Sequence, residues 1–166
     1  MSILSERRTE TRFTDYKAAW SIDQATVEAN RCLYCYDAPC ISKCPSAVNV
    51  PEFIRRIATG NLEGSAELIL ADNPLGMSCA RVCPVEVLCS GSCVLPDMGL
   101  PAIEIGRLQR FVTDMALDGG WIFGDRAPAT GKRVALVGAG PSSLACAWYL
   151  GRLGHKPVIF EKDRLL

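Results

Sequence analysis

From residue 21 to about residue 120, apolar side chains recur every three or four positions, and prolines and glycines break the pattern into segments. Ser21-Ile22-Asp23-Gln24 has the form of a capping box and predicts a helix running toward Cys32. Pro51 opens a second helix, PEFIRRIATG, which Gly60 ends, and a third, LEGSAELILADNP, stops at Pro74. Pro101 begins a longer one, AIEIGRLQRFVTDMALDGG, in which Ile105, Leu108, Phe111, Val112 and Met115 fall on one face. The stretch WIFGDRAPATGK that follows is rich in turn formers. Beyond it the period changes: RVALVG reads as a buried strand, GAGPSS as a tight turn, LACAWYLGRLG as a helix closed by Gly154, and KPVIFEK as a second strand. The expected fold is therefore mainly α, followed by one βαβ unit. The divisions are an exposed arm at 1–20, a helical domain at 21–120, a linker at 121–131 and the βαβ unit at 132–166.

Composition narrows the chemistry. Eighteen basic residues balance eighteen acidic ones, which gives no field for nucleic acid or an anionic membrane. Apolar residues at 49% and charged residues at 22% are globular values. No run reaches the roughly 18 apolar residues of a membrane span. The amino-terminal MSILSERRTETRFTDYK has no apolar core of a secretion signal, so a reducing cytoplasm is expected. Nine cysteines in such a chain are metal ligands or redox groups before they are disulfides.

Eight of the nine fall in two groups. The first reads C-x2-C-x4-C-x3-C-P, over Cys32, Cys35, Cys40 and Cys44; the second reads C-x3-C-P-x4-C-x3-C, over Cys79, Cys83, Cys89 and Cys93. A close pair followed by a third thiol lets three sulfurs converge on one cubane, while the cysteine before proline points away. In two-cluster ferredoxins that fourth cysteine serves the other cluster. By this logic Cys32, Cys35, Cys40 and Cys93 hold cluster one, and Cys44, Cys83 and Cys89 hold cluster two. The eighth ligand stays open between Cys79 and Gln109, the latter at the edge of the long helix's apolar face. Zinc is the competing reading, as a stapled interaction domain without redox activity, but zinc sites usually pair C-x2-C with C-x2-C. Cys146, mid-helix among Leu144, Ala145 and Ala147, is expected in the core.

The turn Gly138-Ala139-Gly140-Pro141-Ser142-Ser143 lies between strand and helix, with Glu161 at the end of the next strand. Gly138 permits the tight turn, and Gly140 lets backbone approach a pyrophosphate. The helix after Pro141 offers unpaired N–H groups, and Glu161 is placed to accept from a ribose. Such a setting is that of a Rossmann-like dinucleotide site, although Ser143 stands where a third glycine or alanine is usual. His155 is expected to be a surface cap, and Arg55-Arg56 a solvated helix face.

The order of motifs, from C-x2-C-x4-C-x3-CP through DNPLGMSCARVCP, LCSGSC and IGRLQRF to VALVGAGP, resembles the amino-terminal cluster domain of a known family. Dihydropyrimidine dehydrogenase, its bacterial NAD-dependent small subunit and the glutamate synthase small subunit share that domain. The resemblance implies a helical domain with two [4Fe–4S] clusters of crossed ligation, followed by the opening of an FAD-binding Rossmann-like fold. It also implies that Gln109, within the G-L-Q-x-F-like segment Gly106 to Phe111, is the eighth ligand. Glutamate is more usual there in the glutamate synthase branch.

The implied activity passes electrons from NAD(P)H through FAD and the clusters to a partner subunit. The partner's flavin reduces a substrate, with uracil or thymine favoured over glutamate synthesis. The chain has no second glycine motif for NAD(P)H, and two strands make an incomplete FAD-binding fold. It is therefore expected to be a fragment, a truncated product or a piece completed by a partner, and hydride chemistry by it alone is not expected.

Overall fold

The computed structural model describes residues 18–163, so most of the expected arm at 1–20 lies outside the described residues. Among the described residues, seven α-helices and two strands follow one another: α1 (Ile22–Ala29), α2 (Pro39–Ser42), α3 (Val50–Ala58), α4 (Leu62–Asp72), α5 (Gly76–Val82), α6 (Ile105–Asp118), β1 (Arg133–Val137), α7 (Pro141–Arg152) and β2 (Lys156–Phe160). Two 3-10 turns, Ser90–Ser92 and Leu95–Met98, lie between α5 and α6. The fold is thus mainly helical with one parallel strand pair at its carboxyl end, as the apolar pattern predicts.

Local signals fix the helix starts. Ser21 Oγ accepts from the Gln24 N–H, and Gln24 Oε1 accepts from the Ser21 N–H at 3.0 Å, which completes the capping box on α1. Asn49 and Asn61 cap α3 and α4 by accepting from the N–H groups of Glu52 and Gly64. In α3 the residues Val50, Phe53, Ile54 and Ile57 repeat at the helical interval, and all four are buried. Full burial of each such side chain contributes about 1.5–3 kcal/mol. Opposite them, Ser65, Ala66 and Ile69 form the inner face of α4. Ser65 is small enough to let the helices approach, and its hydroxyl donates to the Phe53 carbonyl at 2.8 Å. From α6, Leu108, Phe111, Val112 and Ala116 close the same core.

The long helix starts later than Pro101. Residues 101–104 stay non-helical because α1 holds them: Glu28 accepts the Glu104 N–H at 2.9 Å, and Arg31 donates to the Pro101 carbonyl. Those bonds satisfy outside a helix a backbone that proline alone would let turn helical. Buried Ile103 then reaches the core from that non-helical run.

At the carboxyl end, β1 and β2 pair in parallel with Arg133 opposite Lys156 and Val137 opposite Phe160. No residue of α7 is buried, and Cys146 is exposed, contrary to the core position expected for it. Helix α7 packs on the two strands and touches α4 only at its rim, where the Tyr149 hydroxyl donates to the Ala71 carbonyl at 3.4 Å, so much of its surface has no apolar neighbour. The stretch after α6 forms no regular element. It does follow the βαβ unit, with Ala127 donating to the Arg152 carbonyl at 2.8 Å and Thr130 to Gly154 at 3.0 Å.

Candidate functional site

The eight clustered cysteines are all half-buried. Four of them, Cys32, Cys35, Cys40 and Cys93, line one cavity beneath α3, whose other walls include Leu33, Val50, Ile54, Leu95 and Ile105. Three of these sulfurs come from the first stretch of chain and one from the second. Cys44 is not among the residues that line this cavity. It interacts with Cys83 and Cys89, and Cys83 interacts in turn with Cys79. Cys40 also feels Cys89, so the two sulfur sets are neighbours.

Local backbone explains the first set. Between Cys32 and Cys35, Tyr34 adopts a left-handed conformation with φ of 52°, which an L-residue enters at a cost. Two contacts hold it there: its hydroxyl donates to the Ala29 carbonyl at 3.1 Å, and the Arg55 guanidinium lies 4.8 Å from its ring centroid. Arg55 is therefore more than the solvated face expected of it, since its charge also reaches the Cys32 sulfur. Neighbouring Arg56 binds Glu52 and the Gly64 carbonyl. Cys40 lies on α2, a single turn that the sequence pattern does not reveal.

Burial is the first cause that raises the thiol pKa values of Cys32, Cys40, Cys83 and Cys89, and neighbouring thiolates add to it. Cys40 is pushed up to about 12 and Cys83 to about 11, from an ordinary value of 9.0. Backbone N–H groups work in the opposite direction: that of Tyr34 favours the Cys32 thiolate, and that of Ser90 favours the Cys89 thiolate. The Ser90 hydroxyl is buried without a conventional partner, yet it also lies close enough to favour charge on Cys89. These sulfurs resist ionising alone, while donors stand ready for them once something positive binds.

That donor set fits an iron–sulfur cluster. A cubane takes thiolates at separate iron corners and suits soft sulfur ligands with N–H groups aimed at them. One zinc would instead need four donors about 3.8 Å apart, from a Zn–S distance of about 2.3 Å. Among the described residues, no three His, Cys, Asp or Glu groups converge on a single ion in that way.

Gln109 lies on α6, facing α5. Its Nε2 donates to the Gly76 carbonyl at 2.7 Å, which leaves its oxygen as the free donor atom. Further along α6, both oxygens of Asp114 accept from one guanidinium nitrogen of Arg81 of α5, at 2.7 and 2.8 Å, and one of them accepts a third bond from buried Arg110 at 3.2 Å. Asp114, Tyr34 and Asn73 support the sulfurs, yet spacing gave no sign of any of them. Asn73 before Pro74 read only as a helix stop.

The glycine-rich turn has the local geometry of its motif. Gly138 has φ of 86° and donates to the Phe160 carbonyl at 2.8 Å, so the turn folds across the ends of both strands. Gly140 is different: its φ of −68° suits any residue, and a Cβ built there would meet nothing within 4 Å. Its own chain therefore gives no reason for glycine, and the open space outside α7 is where an approaching phosphate would need it. Pro141, Ser142 and Ser143 form the first turn of α7. Glu161 accepts the Ala139 N–H at 2.7 Å and the Asp163 N–H at 3.0 Å; these bonds hold its carboxyl below the usual range. Glu161 thus reaches the turn itself. His155 pairs with Thr130 at 2.7 Å and supports the loop beside the strands.

Similarity to known proteins follows the same division. Residues 136–166 match the NAD(P)-binding Rossmann-like domain. The subunit PreT of NAD-dependent dihydropyrimidine dehydrogenase from Escherichia coli K12 is 44% identical over 139 residues, covering 84% of this chain and 34% of that protein. Its Salmonella typhimurium counterpart is 43% identical over the same length. The glutamate synthase [NADPH] small chain of Halomonas elongata is 38% identical over 152 residues, covering 91% of this chain and 32% of its own. The chain spans about a third of the length of these relatives. Residues 8–121, which carry both sulfur sets, match the model of dihydropyrimidine dehydrogenase domain II with its 4Fe-4S cluster, and the chain belongs to that family.

Proposed function

We propose that this chain is an electron-transfer module with two [4Fe–4S] clusters of crossed ligation. Cys32, Cys35, Cys40 and Cys93 would hold one, and Cys44, Cys83, Cys89 and Gln109 the other. The observation that carries the reading is the sulfur grouping: Cys93 shares a cavity with the first stretch, while Cys44 neighbours the second. Bound clusters supply single-electron steps. The protein contributes the rest: it holds two cofactors side by side, shields one set beneath α3, and aims backbone N–H groups at the sulfurs. Gln109 offers a neutral oxygen where a thiolate would add negative charge, which favours a higher potential for its cluster.

The helical portion (21–120) and the βαβ unit (132–166) act in this reading as two domains joined by residues 121–131. Gly138 to Ser143 and Glu161 form the opening part of an FAD site. FAD and NAD(P)H complete the path in the whole protein, and a partner subunit receives the electrons in the cytoplasm. No helix among the described residues is long and apolar enough to cross a membrane. The similarity to PreT and the glutamine at position 109 support pyrimidine reduction, or its reverse, over glutamate synthesis.

Anaerobic purification with iron, acid-labile sulfide and flavin analysis tests the proposal. Broad absorbance near ~400 nm that dithionite bleaches is expected. A colourless protein holding zinc would replace this reading with a stapled interaction domain.

A further inference from the structure

Gly76 opens α5 and is buried. A turn at the end of α4 holds its peptide. Asn73 accepts the Gly76 N–H on its carbonyl at 2.9 Å and the Leu75 N–H on its side-chain oxygen at 3.1 Å. The Gly76 carbonyl in turn accepts from the Gln109 amide of α6 at 2.7 Å. A carbonyl oxygen only accepts, so the Gln109 atom that faces it is the nitrogen, and the amide has one orientation. Gln109 Oε1 is thereby left for another partner.

The φ of Gly76 is not positive, so backbone conformation gives no reason for glycine there. Space does. A Cβ built on Gly76 would lie 2.6 Å from Cγ2 of Ile69 on α4, 3.6 Å from Leu70 and 3.7 Å from Gln109 Nε2. Ile69 is fully buried, and a β-branched side chain in a helix has one strongly preferred rotamer, so its Cγ2 does not swing aside. An added methyl therefore moves the start of α5 off α4, and the Gly76 carbonyl moves with it.

We propose that Gly76 is a positioning residue for the second sulfur set: lacking a side chain, it seats its carbonyl where that carbonyl turns the Gln109 amide oxygen toward iron. This rests on the ligand assignment proposed above. A neutral amide oxygen is a poorer partner for iron than a thiolate, so its hold depends on how it is aimed. Outer partners that aim a metal ligand are worth about 10–100-fold in metal affinity.

The test uses anaerobically prepared holoprotein, with EPR of the reduced clusters and release of iron to a chelator followed by absorbance near ~400 nm. In Gly76→Ala, about four of about eight irons should leave about tenfold faster than in wild type. The EPR signal that changes should be the one that Gln109→Glu changes. Ile69→Leu removes the obstructing Cγ2 methyl, so Gly76→Ala combined with Ile69→Leu should return to the wild-type rate. An ionised glutamate donates nothing to a carbonyl, so in a Gln109→Glu background Gly76→Ala should add less than about twofold. Wild-type iron release in Gly76→Ala would overturn the proposal. So would an acceleration that persists in the Gln109→Glu background, because the effect would then act through Cys83, which follows α5. An EPR spectrum unchanged by Gln109→Glu alone would remove the ligand assignment and this proposal with it, a failure that shows before Gly76 is altered. Should Gly76→Ala not fold, an ester oxygen in place of the Met77 amide nitrogen weakens the Gly76 carbonyl as an acceptor without adding an atom. The same acceleration is expected there, and wild-type release would overturn the proposal.

Discussion

Removing the Asp114 carboxylate should loosen α5, which leads directly into Cys83, from α6, which bears Gln109. Arg81 contributes the outer half of this network; its side chain is 37% exposed, so its pair is worth about 0.2–1 kcal/mol. Arg110 is the inner half, 8% exposed, and a buried cation that loses its anion costs about 3–5 kcal/mol when nothing else binds it. Arg110 has further interactions, so we take about 2–3 kcal/mol for its share. The sum for Asp114→Ala is about 3 kcal/mol. With a urea slope of about 2 kcal/mol/M, the midpoint should fall by about 1.5 M. Asp114→Asn keeps an acceptor and should lose about half as much. Salt at about 1 M should remove the Arg81 share and leave the Arg110 share. The assay is anaerobic urea titration of holoprotein, followed by circular dichroism and by absorbance near ~400 nm. A midpoint for Asp114→Ala within about 0.3 M of wild type would refute the reasoning, because surface pairs alone could account for it.

Further outcomes follow from individual positions. Gly138→Ala should cost about 1–2 kcal/mol because its φ is positive; Gly140→Ala should change stability by less than about 1 kcal/mol yet, on the proposed reading of the turn, weaken flavin binding. Equal flavin binding by Gly140→Ala and wild type would remove the phosphate role of that glycine. Tyr34→Gly should be more stable than Tyr34→Ala by about 1 kcal/mol, since both lose the ring contacts but only glycine accepts a φ of 52° without strain; urea midpoints in the reverse order would contradict this. In metal-stripped protein, Cys40 and Cys83 have raised pKa values, so the folded state favours their neutral thiols. Their stabilisation is complete below the unfolded value near 9 and declines as pH rises toward 11 and 12. Helical circular dichroism should decrease over that window, and a flat profile would speak against burial of these thiols.

Much of the helical frame was legible because its signals are local. Ser21 and Gln24 cap α1 through bonds spanning three residues, and the Val50–Phe53–Ile54–Ile57 interval states which face of α3 is inward. Failures lie where distant residues decide. Pro101 permits a helix, but Glu28 and Arg31 hold residues 101–104 out of one. Cys146 has apolar neighbours in sequence, yet two strands offer α7 too little surface to bury it. Spacing divides the thiols into sets, but it says nothing of what supports them. Asn73, Tyr34 and Asp114 act through bonds that only the folded chain brings into range.

The exchange of Cys44 and Cys93 between the two stretches is the central claim, and counting iron in paired substitutions tests it most directly. Cys35→Ala with Cys93→Ala should damage one cluster only and leave about four irons of about eight. Cys35→Ala with Cys44→Ala should damage both and leave almost none. If each stretch instead kept its own cluster, the two results would be reversed: about four irons with the Cys44 pair and almost none with the Cys93 pair.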